Sequence, residues 1–389
     1  SYPRRVPRPG RRRPRRGGRP RRPRRRPSRH PGLTVAGIEG PGPNQGPDPA
    51  GLARLRLGRL AGGFLTTQLL YVAAKLGVAD ALAEGPRAGA EIATAVGADP
   101  DALTRVLRGL VLEEVLAEAG GGRFALTEVG ERLLGDVPGS LRGGVLVTGE
   151  LYYRAAAGML AAVREGGTAF EQVYGDRFFE YLSRHPEQEA MFQGAMTGRS
   201  EDETGHVVAA YDFGGLGRLV DVGGGHGVLL GAILRSAPNL EAVLVDQPAV
   251  VEQARQRLAA DGVAGRCQLV AGDFFGDLPA GADAYLLSRV LHDWADDDAR
   301  RILAACRSAM PPGGRLLIVE ALLPERAADQ PAVIRMDLYM LVLLGARERT
   351  EAQFRRLLAE TGFAVRRVVN TASPAGLSII EAAPAALPR

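Results

Sequence analysis

From residue 213 onward, short and almost wholly apolar runs alternate with longer amphipathic ones. The apolar runs are RLVDVGG (218–224), LEAVLVDQ (240–247), CQLVAGD (267–273), AYLLSRV (284–290) and RLLIVEAL (315–322), then AVRRVVNT (364–371) and SIIEAA (378–383). Helical spacing fills 227–236, 248–262, 295–310 and 350–361. Near-continuous apolar strands alternating with helices predict an α/β fold with a doubly wound, mostly parallel sheet. The link from Ala372 to Leu377 is too short for a crossover, so the last two strands should form an antiparallel hairpin at one edge.

The N-terminal half has a different texture. Residues 54–84 are apolar with helical spacing and few polar residues. A helix so apolar needs a large covering surface, such as a second subunit. Residues 88–134 read as helix, turn, helix, Gly-rich hairpin and short helix, the pattern of a winged helix. Asp99 should cap the second helix, with Pro100 at its first position. That helix, 101–116, sets Arg105 and Arg108 against Asp101, Glu113 and Glu114. Its net charge of −1 suits a phosphate backbone poorly, so a dimerisation or packing module is preferred to DNA binding. Residues 141–210 form a helical connector rich in Met, Phe and Tyr. Its Phe178, Phe192 and Met196 are candidates to line a flat aromatic pocket.

Charge sharpens this division. The 389 residues carry a net +5, but fifteen arginines stand in residues 1–29, and Glu39 and Asp48 are the only acids before residue 51. The first fifty residues therefore hold +13, and the remaining 34 basic and 42 acidic residues hold −8. An acidic body argues against a nucleic-acid ligand. The tail has almost no large apolar side chain and is expected to be disordered. It reads either as an electrostatic arm for nucleic acid or membrane, or as an upstream segment outside the working protein. The second reading is preferred, because the body offers no matching surface. Cys267 and Cys306 cannot build a disulfide framework, and no apolar run approaches the ~18 residues of a membrane span, so a cytoplasmic location is expected.

The most informative stretch is LVDVGGGHG, 219–227, directly after a strand and before a helix. Gly223, Gly225 and Gly227 let the backbone turn sharply and approach a ligand. The spacing is not the G-x-G-x-x-G of dinucleotide folds, and Asp221 would repel a pyrophosphate. An acid there suits a ligand with an α-amino group. Asp246 ends the second strand, where a carboxylate can accept from ribose hydroxyls. Asp273 and Phe274, after the third strand, can meet an adenine amino group and ring. No Cys/His/Asp cluster has metal-ligand spacing, so no metal is expected.

In order along the chain stand LVDVGGGHG, VLVDQP, GDFFGDLP, LSRVLHDWADDDARRIL, PGGRLLIVEALLPE and MDLYMLVLLGARERTEAQFRRLLAETGF. Over residues 55–385 the chain resembles class I S-adenosylmethionine-dependent small-molecule O-methyltransferases, the plant caffeate-type and actinobacterial natural-product enzymes. The resemblance implies a Rossmann-like catalytic domain behind a winged-helix dimerisation domain, and hence a homodimer. It implies a division into a tail (1–50), a dimerisation domain (51–140), a connector (141–212) and a cofactor-binding catalytic domain (213–389). Asp221, Gly223 and Gly225 would hold the methionine part of the cofactor, Asp246 the ribose, and Asp273 with Phe274 the adenine. Ser288, where plant relatives carry lysine, would also touch the cofactor, and Trp294 would pack on the adenine. His292 would be the general base for a phenolic hydroxyl, oriented by Glu320 and Glu348. Met340 and Leu344 would face the substrate. Two other readings stay open: an enzyme of the same fold with decarboxylase or hydroxylase chemistry, and a winged-helix DNA-binding regulator.

Overall fold

The computed structural model describes residues 48–385. The tail expected over 1–50 therefore falls almost wholly outside the described residues, and its last two positions already belong to the helix Pro49–Ala61. Of the described residues, 48–57 fall in a unit separate from 58–385. In it Leu52, Leu55 and Leu57 are exposed.

The larger unit begins with the helix Gly63–Leu76, which leaves Phe64 and Leu65 exposed. Strand β1 (Arg87–Ala88) and the helices Gly89–Val96 and Pro100–Leu112 follow, then β2 (Leu116–Glu118) and β3 (Arg123–Leu126). The three strands pair in the order β1-β3-β2. Asp99 caps as its sequence position predicts, accepting the N–H of Ala102 at 2.8 Å. Leu103, Leu107 and Leu110 recur at helical spacing and are buried with Ile92 and Phe124. Each such side chain contributes about 1.5–3 kcal/mol by leaving water.

Short helices follow. Between Arg142–Val147 and Tyr153–Ala155 the chain makes one π-helical turn, Thr148–Tyr152. Gly149 in this turn lies against Tyr71, whose atoms a Cβ would meet at 2.4–2.5 Å. Glu150 of the same turn accepts from Tyr71 Oη at 3.1 Å and from the chain's single lysine, Lys75, at 3.0 Å. The long helix Pro186–Ala210 completes the connector.

The strands of the C-terminal part lie where the apolar runs predict: β4 (Arg218–Val222), β5 (Glu241–Asp246), β6 (Cys267–Ala271), β7 (Ala284–Ser288), β8 (Arg315–Ala321), β9 (Phe363–Asn370) and β10 (Leu377–Pro384). Their order is β6-β5-β4-β7-β8-β10-β9. The first five run parallel, and β10 is antiparallel to both β8 and β9. The expected hairpin is thus present at an edge, and its second strand inserts between the first and the rest of the sheet.

Alternate residues of each strand enter opposite layers. Leu219, Leu244 and Leu286 pack with Leu230, Ile233 and Leu234 of the helix Val228–Ser236. Val220, Val243 and Tyr285 pack with Ile302, Leu303 and Cys306 of the helix Asp296–Ala309. Three aspartates, 296 to 298, open that helix, where its positive dipole end favours acids. A capping box of Thr350 and Gln353 starts the helix Glu351–Glu360. The helix Pro331–Leu343 is apolar around most of its circumference, so no polar face marks it in the sequence pattern. Among the described residues no helix is long and apolar enough to cross a membrane.

Candidate functional site

The candidate residues collect at the carboxyl ends of β4, β5, β7 and β8, where open α/β sheets bind ligands. After β4 the backbone turns through Gly223, Gly225 and Gly227, with φ of +73°, +57° and +75°. A Cβ on Gly223 would also meet Val290 Cγ2 at 2.9 Å. The turn is locked to the next strand: Asp246 accepts the N–H of Gly225 at 2.8 Å and that of Gln247 at 2.7 Å. Burial raises the pKa of Asp246, and these two N–H groups pull it back.

Asp221 is 2% exposed, and its Oδ1 has no hydrogen-bond partner. Burial first, then the charge of Asp246, pushes its carboxyl up to about 7. A carboxylate so placed lacks a cation. It borders a cavity of about 150 Å³ lined also by Gly223, Gly225, Ser288, Arg289, Met196 and Glu203. A cleft of about 880 Å³, lined by Arg142, Glu189 and Gln253, shares Gln193 and His226 with it. The unpartnered oxygen and the side-chain-free glycine turn fit a ligand that brings a cationic amino group against bare backbone.

Beyond β6, Asp273 accepts the N–H of Phe275 at 2.9 Å, which fixes the turn. Phe274, whose ring atoms lie 3.5–3.6 Å from the Cβ position of Gly223, stands edge-on to Trp294 with ring centroids 5.9 Å apart. Phe275 meets the same indole at 4.8 Å. The glycine turn, Phe274 and Trp294 are thus brought together.

His292 sits in a single 3-10 turn after β7 and is buried. Its Nδ1 lies 3.0 Å from Glu348 Oε1 and 3.9 Å from Glu320 Oε2, and its Nε2 lies 3.4 Å from Asp293 Oδ1. Glu320 also accepts the N–H groups of Leu291 at 2.9 Å and His292 at 3.3 Å, fixing the turn. Burial alone would strip the ring of its proton; Glu320, Asp293 and Glu348 outweigh it and lift the imidazole to about 9. Burial pushes Glu320 upward, against the pull of His292. His292, Glu320 and Glu348 offer ligand atoms within 4.8 Å of one another, a grouping that linear spacing does not reveal. Arg289 supplies a positive charge there, 3.7 Å from Glu348.

Several neighbours carry no signal in the sequence. Arg349 is buried and donates to the carbonyls of Leu291 at 2.6 Å and Trp294 at 2.8 Å, and to Asp296 at 2.9 Å. It clasps both ends of the histidine turn. Asp337 accepts the N–H of Glu348 at 2.9 Å. Asp293 and Arg289 flank the histidine within the quoted motif, yet only the fold shows that both face the cluster.

The expected substrate residues divide. Phe178 is buried 5.1 Å from both Phe170 and Phe192, and Leu344 packs into the same aromatic cluster with Tyr152 and Tyr339. Met340 is buried on the helix Pro331–Leu343. Met196 instead borders the cavity of Asp221 and the glycine turn. The site thus holds a weak base, the buried His292 imidazole, and an uncompensated buried carboxylate at the glycine turn. Such a base matches a weak acid such as a phenol, whose pKa is near 10.

Comparison with known proteins bears on this geometry. Residues 157–364 match the model of the O-methyltransferase domain, and residues 59–136 that of the O-methyltransferase dimerisation domain. The chain is 46% identical over 323 residues to a phenazine O-methyltransferase of Lysobacter antibioticus, covering 83% of this chain and 94% of that one. Among solved structures it is similar to the mitomycin 7-O-methyltransferase, with TM-score 0.81 and 36% identity over 86% of this chain and 99% of that one. It is also similar to an O-methyltransferase from neocarzinostatin biosynthesis, solved with S-adenosylmethionine and 2-hydroxy-5-methyl naphthoic acid. There the TM-score is 0.73 at 37% identity, over 82% of this chain and 96% of that one.

Proposed function

This chain belongs to the O-methyltransferase family, and we propose that it transfers the methyl group of S-adenosylmethionine to a hydroxyl of a small aromatic, polyketide-like or phenolic compound, with His292 as general base. The observation that carries the reading is the buried His292 ring, held on Nδ1 by Glu348, which in turn faces Arg289 on the wall of the cavity of Asp221 and the glycine turn. The cofactor, when bound, supplies an electrophilic methyl on a sulfonium. Asp221 offers the cofactor's ammonium a counter-charge, Asp246 its oxygens to the ribose, and Asp273, Phe274 and Trp294 a seat for the adenine. Ser288 lines the same cavity.

The neutral imidazole keeps its proton on Nδ1 against Glu348 and presents the Nε2 lone pair to the substrate hydroxyl. As oxygen attacks, Nε2 takes the phenolic proton, and Glu348 and Glu320 stabilise the imidazolium that forms. Phe178, Phe192, Met340 and Leu344 give the aromatic acceptor an apolar enclosure that excludes water. The acceptors in the names of its relatives, phenazine and naphthoic acid compounds, are flat and aromatic, which supports this substrate class. The exposed Phe64, Leu65 and Leu112, on a segment matching a dimerisation domain, support a homodimer.

Incubation with isotope-labelled S-adenosylmethionine and a panel of hydroxylated phenazines, naphthoates and benzoates tests the reading. Label should enter a product bearing one added O-methyl group. A product that has lost carboxyl or gained oxygen, with no methyl added, would move the chain to the decarboxylase or hydroxylase chemistry of the same fold.

A further inference from the structure

Arg289 follows β7 with φ of +56°, a left-handed conformation that a side chain other than glycine rarely adopts. Its own N–H donates to Val319 of the adjacent strand at 3.0 Å, so the sheet holds the backbone in this state. The guanidinium stands between two acids, Glu203 and Glu348. Nη2 donates to Glu203 Oε1 at 2.7 Å and Nε to Glu203 Oε2 at 3.3 Å, a two-pronged grip on the helix Pro186–Ala210. The remaining nitrogen, Nη1, is buried without a hydrogen bond and lies 3.7 Å from Glu348 Oε1. That same oxygen is the one 3.0 Å from His292 Nδ1.

Charges therefore alternate along one line. Arg199 lies 3.2 Å from Glu203, Glu203 grips Arg289, Arg289 faces Glu348, and Glu348 meets His292. Among the described residues, ionisable groups facing this line include Glu320 of β8, Asp293 of the histidine turn, Asp337, which holds the Glu348 backbone, and the buried Tyr152, which faces Arg199 and Asp293. Arg349 turns its charge the other way, to Asp296 and two carbonyls. Arg289 and Glu203 also border the cavity beside Asp221.

We propose that Arg289 is a positioning residue: it holds Glu348 against the His292 ring and, through Glu203, makes that contact depend on the helix Pro186–Ala210 being seated beside the cofactor cavity. This rests on His292 being the base. Arg289 touches neither the ring nor a reacting atom; it acts by offsetting the charge of Glu348, so that the carboxylate orients the imidazole without holding its proton too tightly. Movement of the helix away from the cavity would withdraw Glu203 and leave Arg289 to lean on Glu348 alone. The proton affinity of the base would then report whether the helix is in place.

The test is an NMR titration of isotope-labelled histidine in the intact protein, where five histidines keep the spectrum simple. The pH profile of turnover runs beside it. Arg289→Gln removes the cation and should raise the His292 midpoint by about one pH unit, with turnover below that midpoint falling about tenfold. Glu203→Gln removes an acid and should move the midpoint in the opposite direction, by less. Arg289→Lys, which keeps the charge, should restore most of the parental midpoint. Opposite signs are what an alternating charge line requires; general loosening would not produce them. An unchanged midpoint in Arg289→Gln, or shifts of one sign in both neutral variants, overturns the proposal. Should Arg289→Gln fail to fold, an unmoved midpoint in Glu203→Gln does so. The titration reads the Arg289–Glu348–His292 link even if His292→Ala keeps full turnover, so failure of the link and failure of the base role remain distinguishable.

Discussion

Glu348 Oε1 lies 3.0 Å from His292 Nδ1, and both side chains are shut away from water. In the proposed mechanism this leaves Nε2, 3.4 Å from Asp293 Oδ1, to meet the substrate. Replacing His292 with Ala should lower kcat by about 10²–10⁴ while leaving the affinity for S-adenosylhomocysteine, measured by calorimetry, nearly unaltered. Full turnover in that variant would remove histidine from the mechanism.

The raised proton affinity of the ring sets a pH dependence. With the imidazole at about 9 in the free protein, the neutral and active form grows as pH rises towards that value. The rate at low substrate, kcat/KM, should climb with pH through the neutral range. Glu348→Gln removes one of the acids that hold the proton, so its rising limb should lie at lower pH than the parent's. A limb that stays in place would show that Glu348 does not set the basicity.

A sulfonium carries a positive charge that a thioether lacks. Bound in the cavity lined by Ser288 and Arg289, S-adenosylmethionine should lower the His292 midpoint, and S-adenosylhomocysteine should leave it higher. Paired NMR titrations with the two ligands check this; equal midpoints would mean that the cofactor charge does not reach the base.

Asp221 works against the stability of the empty protein. Its carboxyl is raised to about 7 from 3.8, so the native chain binds more protons than the unfolded one between those values. The associated stability is complete below about pH 4 and is lost as pH rises to about 7. Asp221→Asn should therefore raise the melting temperature of the ligand-free protein by a few degrees at pH 8 and hardly at pH 4. It should weaken S-adenosylmethionine binding by roughly 1.5–3 kcal/mol, the strength of a charge-assisted hydrogen bond. Melting curves that move equally at both pH values would contradict the burial argument.

Gly223→Ala tests the close approach of the backbone. The new methyl would meet Val290 at 2.9 Å at a φ of +73°. A loss of about 1–3 kcal/mol of stability is expected, with weaker cofactor binding than Gly225→Ala, where no atom lies within 4 Å of the added Cβ.

The parts legible in the sequence share a physical cause. Central strands such as β4 and β7 are buried on both faces and are apolar but for Asp221 and the residues at their ends, so their runs announce them. Gly223, Gly224, Gly225, Gly227 and Asp246 follow such runs, and strand ends are where the fold places a ligand site. What stayed hidden depends on side chains meeting across long sequence distances. Glu203 and Arg289 stand 86 residues apart, and Arg349 reaches back 58 residues to Leu291. Neither arginine differs in sequence from the many solvated ones around it. The left-handed backbone of Arg289 has no glycine or asparagine to mark it. Met196 shows the limit of composition: an aromatic, Met-rich stretch forecasts an apolar lining, but helical phase decides which lining, and this methionine turned to the glycine turn.

The π-helical turn Thr148–Tyr152 has an evolutionary corollary. A turn of this kind holds one residue more than its α-helical counterpart. The bulge takes up that extra residue locally, so the segments on either side keep their faces, Gly149 against Tyr71 and Tyr152 in the aromatic cluster. A change of one codon confined to such a turn is thus a change of chain length that the packing on both sides survives.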